Sequence, residues 1–296
     1  MKKQGEKTGK IAMAVLWGLL IFYGISCCYL YYMQSIQPLD YNNRYFQSDL
    51  PYHISMIIDD GWYYSFTAYA YQLLYALAGQ NTFLIAGFLM VVTVGSILLT
   101  ERLLRVLLEK EKTDALTFGG ALILNVVMPF FFEWAGKYRY VSYQSPNLWH
   151  NSTYLCMKLL ALLAVLCYFR VERDYRERID LKQWIFFAVT LVITTGVKPS
   201  FLTVFAPAMA LKLLWDLFHK VSFRQIFLFG CAVLPACGVV LWQNMVLFGE
   251  ETGQGFALNP WFTFSLHADR PKAAVLCSLA FPLMVAVFSI KELIKD

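Results

Sequence analysis

Residues 48–53, with the sequence SDLPYH, contain the first side chains whose types and spacing could do chemistry. Pro51 favours an extended or turn conformation at Leu50, after which a helix can begin, so Asp49 and His53 could face one pocket. A carboxylate there could act as a general base, orient an acceptor hydroxyl or help to hold a metal ion. The alternative is that Asp49 only caps the helix and that His53 is an interfacial side chain.

A second polar segment covers residues 133–152, where a carboxylate, two cations, a histidine and two asparagines lie among aromatic residues. Aromatic faces stack on the apolar side of sugar rings, amides and imidazoles bind hydroxyls, and cations bind phosphate. The alternative is an aromatic belt at a membrane surface, with Asn151 or Ser152 capping the next helix. The candidate binding residues of this segment are Arg139, Asn147, Trp149, His150 and Asn151.

Lys198 is the third candidate, because it lies at a helix break between two apolar segments and is followed by Pro199. A lysine within an apolar region is costly unless it reaches water or an anion, so it is a candidate phosphate ligand, or it extends to the outer surface. Residues 59–61, Asp-Asp-Gly, could bind a divalent cation, but two acids followed by glycine are also common in turns. The turn is the favoured interpretation, and no metal site is assigned.

Several kinds of chemistry have no counterpart in the sequence. There is no Walker loop, dinucleotide fingerprint, zinc-protease helix or nucleophile elbow. The net charge of +5 is carried by short basic clusters between apolar segments, so it does not indicate nucleic-acid binding. Seven cysteines lie in apolar stretches without metal-ligand spacing and are interpreted as small apolar side chains.

The elements that must position these residues are membrane helices. Apolar residues make up 58% of the 296 and charged residues only 15%, whereas a soluble domain has roughly 25% charged residues. A bilayer core of about 30 Å requires on the order of 20 apolar residues per helix. The sequence therefore predicts an all-α, polytopic membrane protein with about eight spans, near residues 11–33, 82–100, 117–132, 152–169, 184–196, 200–218, 226–248 and 272–290. Spans five and six are predicted to form a broken pair around residues 196–199.

The positions of the lysines and arginines predict the orientation. With a cytoplasmic N-terminus, 17 of these cations fall in inside segments and 6 in outside segments, and Lys158 and Lys212 lie within spans. An excess of cations on the cytoplasmic side is the expected arrangement. The prediction is a multi-pass plasma-membrane protein with cytoplasmic termini, residues 1–10 and 291–296, and one transmembrane domain over residues 11–290.

Three extracytoplasmic loops follow from this topology, at about residues 34–81, 133–151 and 249–271. The second half of the first loop is rich in aromatic residues, which favour the headgroup layer. We therefore predict one or two interfacial helices in that loop. Because the three candidate sites also lie in outside segments, the protein is expected to act outside the cytoplasm, close to the lipid headgroups.

This layout resembles the GT-C class of membrane glycosyltransferases. The resemblance rests on the cytoplasmic N-terminus followed by one span, the long first outside loop with interfacial helices, and an acidic residue early in that loop, here Asp49 in SDLPYH. Members of this class use sugars linked to polyprenyl phosphate, and the early acid acts as base or orients the acceptor. The resemblance implies that Asp49 is catalytic, that Lys198 or Arg139 meets the lipid phosphate, and that the chain is a short or truncated member.

The resemblance has a further consequence for metal dependence. The Asp-x-Asp arrangement that holds metal in some members is missing near Asp49, so no cofactor is assigned and a divalent cation is not expected to be required. The expected partners are membrane lipid and a sugar linked to polyprenyl phosphate, without nucleic acid. The sequence indicates no oligomeric state.

Two other functions remain open from the sequence. One is a transporter or flippase for a lipid-linked or anionic solute, which would use the broken pair of spans around residues 196–199. The other is a non-catalytic membrane subunit of envelope assembly, for which neither Asp49 nor Lys198 would matter. Substitution of Asp49 distinguishes these functions from a transferase.

Overall fold

The computed structural model describes residues 2–46, 48–127, 134, 148–247 and 259–290. Over these ranges the secondary structure is helical and contains no β-strand, so the predicted all-α class is confirmed. Contacts divide the chain into two compact units. The first unit contains Met1–Asn125 and Asn151–Gln254, and the second contains Val126–His150 and Gly255–Asp296.

The first unit contains most of the helices. They are α1 (Lys2–Ser35), a short 3-10 helix (Tyr41–Asn43), α2 (Leu50–Ile58), α3 (Phe66–Leu77), α4 (Phe83–Leu107), α5 (Ala115–Val126), α6 (Ser152–Asp174), α7 (Leu181–Val197), α8 (Ser200–Phe218), α9 (Phe223–Gly230), a second 3-10 turn (Cys231–Val233) and α10 (Leu234–Leu247). The last residue of α5, Val126, is counted with the second unit.

Five helices in the described ranges are long and apolar enough to cross a membrane, by length and composition, which is consistent with a membrane protein. They are Thr8–Ser35, Phe83–Leu107, Ser152–Asp174, Ser200–Phe218 and Phe223–Leu247. Each coincides with one of the spans expected from the sequence. The last of the five is continuous over α9, the 3-10 turn and α10.

The three other predicted spans correspond to shorter helices. The predicted spans 117–132 and 184–196 correspond to the apolar helices Ala115–Val126 and Leu181–Val197. The predicted span 272–290 falls on two short helices in the second unit, α12 (Pro271–Ser278) and α13 (Ala280–Phe288). The count of about eight spans therefore stays a prediction.

Helices α1 and α4 run antiparallel. The Tyr31 hydroxyl lies 2.7 Å from the Thr93 hydroxyl, and the Ser35 hydroxyl lies 2.7 Å from the Thr82 hydroxyl. As residue numbers rise in α1, those of their partners in α4 fall, which requires opposite directions. An apolar cluster holds the other half of this pair against α5, and its buried members are Leu20, Ile97, Phe118 and Ala121.

An aromatic core joins α6, α7, α8 and the segment from α9 to α10. Tyr168 of α6 stacks on Phe229 with ring centroids 5.5 Å apart, and Phe187 of α7 lies 5.9 Å from the same ring. Close packing of such rings stabilises the bundle beyond the burial of their area. Small residues, among them Ala164, Ala188, Ala232 and Ala236, fill the space around these rings.

Helices α7 and α8 form a hairpin rather than one interrupted span. The rings of Phe187 and Phe205 lie on opposite sides of the turn, with centroids 6.0 Å apart. In a single straight helix, residues with this spacing would be about 27 Å apart. The expected helix break at Lys198 and Pro199 is present, and the chain reverses there, as two separate spans on either side of an outside Lys198 require. Proline lacks an N–H and restricts the residue before it, so Lys198 adopts an extended conformation and α7 ends.

A buried carboxylate joins the C-terminal ends of α6 and α8. Asp216 is fully buried and accepts hydrogen bonds from the Tyr175 hydroxyl, from Lys212 and, at 2.9 Å, from Arg176. Lys212 also lies 3.4 Å from the carboxylate of Glu172. A buried carboxylate is tolerated when its oxygens are satisfied by cations and hydroxyls, as they are here.

Replacing Asp216 with alanine is expected to lower the free energy of unfolding by about 2–3 kcal/mol, because the buried Tyr175 hydroxyl and two cations lose their shared acceptor. Thermal unfolding in detergent measures the change. Asp174 is a matched control, since its carboxylate is exposed and pairs only with the neighbouring Arg173 among the described residues. Equal losses of stability in the Asp216→Ala and Asp174→Ala variants would contradict this role.

Helices α2 and α3 lie in the predicted first loop. Helix α2 buries Leu50, Ile54 and Ile57, and α3 buries Ala68 and Tyr71. Their outer side carries Trp62 and Tyr69, which are 45% and 48% exposed, and the Tyr69 ring stacks on that of Tyr63. Two helices are therefore present where interfacial helices were expected. Their location in the headgroup layer stays a prediction.

The second unit is smaller. Its described helices are α11 (Pro260–His267), α12 and α13, and α11 packs against α12. Ala268 and Ala274 are buried in this unit. The guanidinium of Arg270 lies 5.6 Å from the centre of the Trp134 ring, which is within the range of a cation–π interaction.

Candidate functional site

Three of the predicted site residues lie at the beginning of three different helices. Asp49 directly precedes α2, Asn151 directly precedes α6, and Lys198 lies two residues before the start of α8. The first four N–H groups of a helix have no partner within the helix and carry a partial positive charge. A region where several helices begin is therefore favourable for a carboxylate or a phosphate.

Direct contacts bring these three residues together. The Asn151 amide nitrogen donates to Asp49 Oδ2 at 3.2 Å, and the Asn151 amide oxygen accepts from Lys198 Nζ at 3.4 Å. Lys198 Nζ also donates to the hydroxyl of Thr153 at 3.3 Å. Asn151 thus lies between a carboxylate and an ammonium group that are about 150 residues apart in the chain. This arrangement is the candidate site.

Asp49 does not cap α2 with its side chain. It occupies the position before the helix, but its carboxylate forms no capping hydrogen bond. The hydroxyl of Ser48 instead accepts from the Leu50 N–H at 3.1 Å, and Ser48 is fully buried. The Asp49 side chain, which is half-buried, extends to Asn151. The structure therefore disagrees with the alternative in which the Asp49 side chain serves only to cap α2.

Arg44 fixes the backbone that carries Ser48 and Asp49. Its guanidinium is buried and donates to three carbonyl oxygens, those of Pro38 at 2.8 Å, Leu39 at 2.6 Å and Ser48 at 2.7 Å. A guanidinium has five donors in a rigid plane, so three carbonyls at once restrict the loop strongly. Arg44 is a positioning residue that sequence reasoning counted only as an outside cation.

His53 lies one helical turn after Asp49. Its Nδ1 is 3.2 Å from the hydroxyl of Ser152, the first residue of α6. The backbone N–H of His53 also donates to the Asp49 carbonyl at 2.9 Å, as in a regular helix. Helices α2 and α6 are therefore joined by two polar contacts, Asp49 with Asn151 and His53 with Ser152.

Asn151 has two roles that are compatible with each other. As the cap of α6, its side-chain oxygen accepts from the Tyr154 N–H at 2.9 Å and from the Thr153 hydroxyl at 2.7 Å. Its amide nitrogen remains directed at Asp49. Because the cap fixes the amide, the Asp49 carboxylate is held in a defined position relative to α6.

Lys198 is half-buried in the turn between α7 and α8. Burial lowers the pKa of its ammonium group from the ordinary value, and the nearby negative charge of Asp49 acts in the opposite direction. Burial disfavours the charged form of an amine, and a carboxylate within a few ångströms favours it. The two side chains therefore attract each other, and the Asn151 amide forms a hydrogen bond to each of them.

The end of α7 is fixed from two sides. The Gln243 side chain of α10 donates to the Gly196 carbonyl at 3.0 Å and to the Tyr64 carbonyl at 3.1 Å. On the other side, the Phe66 ring lies so close that a Cβ added at Gly196 would be 2.3 Å from its Cε2 atom. A side chain at position 196 is thus excluded by the beginning of α3. These contacts set the position of Lys198, two residues later.

Replacing Gly196 with alanine is expected to lower the free energy of unfolding by about 1–3 kcal/mol, because the Phe66 ring or the end of α7 must shift. The shift would also move Lys198, so activity at the site should fall with stability. Thermal unfolding in detergent measures the first effect. Gly238 is a matched control in α10, since a Cβ there would meet nothing within 4 Å. A Gly196→Ala variant as stable as Gly238→Ala would show that the close contact does not constrain the fold.

Four predicted site residues belong to the second unit or fall outside the described residues. Trp149 and His150 belong to the second unit, where His150 is buried. Arg139 and Asn147 lie outside the described residues. Binding roles for these four residues stay predictions.

The structure also places the acidic pair of the α2–α3 connection. Asp59 ends α2 and accepts from the Ser55 hydroxyl at 2.8 Å, and Gly61 adopts a positive φ of 68°, as in a turn. Within the described ranges, no group of three histidine, cysteine or acidic side chains could hold a metal ion.

Comparison with protein-family models, with curated proteins and with solved structures found no match to this chain. The site combines one carboxylate, one partly desolvated ammonium group, an imidazole and two hydroxyls at the beginning of three helices. Such a set can accept a proton from a hydroxyl and stabilise an anionic leaving group.

Proposed function

We propose that the protein is a membrane glycosyltransferase that moves a sugar from a polyprenyl-phosphate carrier to an extracytoplasmic acceptor. The observation that carries the proposal is the contact of Asp49 with Asn151, and of Asn151 with Lys198, at the beginning of α2, α6 and α8. A base and a cation at one place are the two groups that transfer to a hydroxyl from a phosphate requires.

In the proposed reaction Asp49 accepts the proton of the acceptor hydroxyl. The oxygen of that hydroxyl attacks the anomeric carbon of the sugar, and the bond from this carbon to the phosphate oxygen breaks. The phosphate leaves with the electron pair, and its negative charge is stabilised by Lys198 and by the N–H groups at the helix ends. A direct displacement of this kind inverts the configuration at the sugar carbon.

Asn151 acts as a positioning residue in this mechanism. Its amide donates to Asp49 and accepts from Lys198, so the carboxylate and the ammonium are bridged by a neutral group. A carboxylate that is fixed by an amide keeps its orientation toward an incoming hydroxyl, which lowers the entropy lost in reaching the transition state. His53, in contact with Ser152, is placed to bind an acceptor or donor hydroxyl near the base.

The membrane setting supports a lipid-linked donor. The five long apolar helices include α6 and α8, whose first turns form the site. A lipid whose chain lies in the bilayer would present its phosphate at this depth. The predicted topology places the site on the extracytoplasmic side of the plasma membrane, with both termini in the cytoplasm.

The proposal is tested by supplying purified protein in lipid nanodiscs with a panel of polyprenyl-phosphate-linked hexoses and pentoses and with membrane extracts as a source of acceptor. Mass spectrometry follows consumption of each donor and release of polyprenyl phosphate. Consumption of one donor by the wild type is the expected result. Donor consumption no faster than in empty nanodiscs, for every sugar in the panel, would refute the proposal.

A transporter or flippase is the second candidate, and the α7–α8 turn is the feature that bears on it. A transporter would use a discontinuous helix at this position, but the rings of Phe187 and Phe205 lie close together across a turn at which the chain reverses. Polar residues of the site lie at helix ends rather than at the middle of the spans. The transferase is therefore preferred over the transporter. A non-catalytic subunit differs from both in predicting that neither Asp49 nor Lys198 matters.

A further inference from the structure

Lys158 is a lysine in the apolar helix α6 to which the proposed mechanism assigns no role. It lies within the candidate span Ser152–Asp174 and is half-buried. It forms no hydrogen bond or ion pair with any residue in the part of the chain that the structure describes. Lys212, in the candidate span Ser200–Phe218, is by contrast paired with Asp216 and Glu172.

An unpaired lysine in a membrane helix is unfavourable. The free-energy cost of a charged side chain is greatest near the centre of the bilayer, and it is reduced when the side chain reaches water or an anion. Among the described residues, no carboxylate forms an ion pair with Lys158. Within a bilayer, the phosphate of a lipid headgroup is a group that can compensate such a charge.

The position of Lys158 on α6 relates it to the candidate site. It follows Asn151 by seven residues, which is two helical turns, so both residues lie on the same face of the helix, about 10 Å apart along its axis. Side chains of a helix lean toward its N-terminus. The ammonium group of Lys158 can therefore extend along this face toward Asn151.

The charges of the site leave room for this second cation. Lys198 and Asp49 interact and offset one another. A phosphate that binds beside them would meet a pair with no net charge, apart from the partial charges of the helix ends. Lys158 supplies a full positive charge that the pair of Asp49 and Lys198 does not offer to the phosphate. It lies on the same face of α6, further into the membrane than Asn151.

We infer that Lys158 binds the phosphate of a membrane lipid whose chain lies beside α6 in the bilayer. The inference rests on the proposed function only for the identity of the lipid as the polyprenyl carrier. A lipid phosphate bound between Lys158 and the first turn of α6 has its headgroup at the site and its apolar chain in the membrane. The same phosphate chemistry is offered by polyprenyl phosphate and by bulk anionic phospholipid.

The test measures lipid binding separately from sugar transfer. Wild type, Lys158→Met and Lys158→Arg are purified in a neutral detergent, and native mass spectrometry records the binding of polyprenyl phosphate and of phosphatidylglycerol. Loss of one charge-assisted contact is expected to weaken polyprenyl phosphate binding in Lys158→Met about 10- to 100-fold, with most of the affinity kept in Lys158→Arg. Lys182→Met, at the exposed beginning of α7, is the matched control and should bind as the wild type does.

Each outcome decides a separate question. Unchanged lipid affinity in Lys158→Met would overturn the inference, and so would a lower unfolding temperature of that variant, because it would reveal a structural partner for Lys158. If the wild type bound phosphatidylglycerol as tightly as polyprenyl phosphate, and Lys158→Met bound neither, the lipid-phosphate site would be supported. The site would then give no support to a polyprenyl carrier. Normal lipid binding without sugar transfer in the wild type would contradict only the proposed function.

Discussion

An Asp49→Asn variant is expected to lose sugar transfer by about 10²- to 10⁴-fold while it folds and binds the lipid donor normally. An amide cannot accept the proton of the acceptor hydroxyl, but its oxygen can still accept the hydrogen bond from Asn151 that the carboxylate accepts now. Helix α2 should be unaffected, because its first N–H is accepted by the Ser48 hydroxyl and not by the Asp49 side chain. Donor consumption and lipid affinity, measured on the same preparation, separate the two effects.

The matched control for this experiment is Asp60→Asn, which changes an exposed carboxylate in the connection after α2. Transfer by this variant should equal that of the wild type. If Asp49→Asn retained transfer within a few-fold of the wild type, Asp49 could not be the base. A transporter would instead show no sugar transfer in the wild type, and its transport could tolerate Asp49→Asn.

A Lys198→Met variant is expected to reduce transfer by about 10²- to 10³-fold, because the leaving phosphate loses a fixed positive charge. Asn151 and Thr153 also lose the ammonium group that donates to them. Lys198→Arg should recover part of the activity, since its charge is kept but its planar group does not match the two acceptors in the same way. The initial rate of polyprenyl phosphate release measures both variants.

Lys220→Met serves as the control for Lys198, since it removes an exposed cation from the turn between α8 and α9. Its rate should not differ from that of the wild type. A full rate in Lys198→Met would refute the role of Lys198 in leaving-group stabilisation. The non-catalytic alternative instead predicts no transfer by the wild type or by any variant.

The two variants also differ in the step that they affect. Asp49→Asn removes a proton acceptor and should leave the affinity for donor lipid unchanged. Lys198→Met removes a charge that interacts with phosphate before as well as during the reaction, so it should lower both the rate and the affinity. A comparison of the two therefore assigns base and cation to separate residues.

Parts of the candidate site follow from the sequence alone. Asp49 was selected as a carboxylate two residues before Pro51, and Lys198 as a cation directly before Pro199 at the end of an apolar segment. Asn151 was selected because an amide can bind hydroxyls, with helix capping as the alternative. These signals are local, and the first turns of helices on one side of a membrane lie near each other. The structure brings all three side chains together.

Other parts of the site depend on packing between distant segments. Gln243 reaches Tyr64 and Gly196, which are 179 and 47 residues away, and nothing in its local sequence indicates either contact. The contact of Phe66 with Gly196 likewise depends on how α3 packs against α7. The choice of Ser48 rather than Asp49 as the cap of α2 could not be predicted, because both residue types are good caps.

The spans show a similar division between local and distant information. Long apolar segments predict the five long helices, because length and hydropathy are sufficient for that purpose. Reversal of the chain at Lys198 follows from the predicted topology, which places this residue outside between spans five and six, because a proline near a charged residue can end a span. The contact between Phe187 and Phe205 agrees with that reversal.

The Ser48 hydroxyl accepts the first N–H of α2, and Arg44 holds the Ser48 carbonyl. The residue that supports the start of this helix is therefore not the residue proposed to act as the base. The side chain at position 49 provides no capping hydrogen bond to α2 and contacts Asn151 instead. Polar substitutions of similar size at this position should therefore yield folded protein, so their activities would report on the site rather than on the start of the helix. Position 48 should behave in the opposite way, because substitutions there remove the hydrogen bond from the first N–H of α2 and should lower the yield of folded protein.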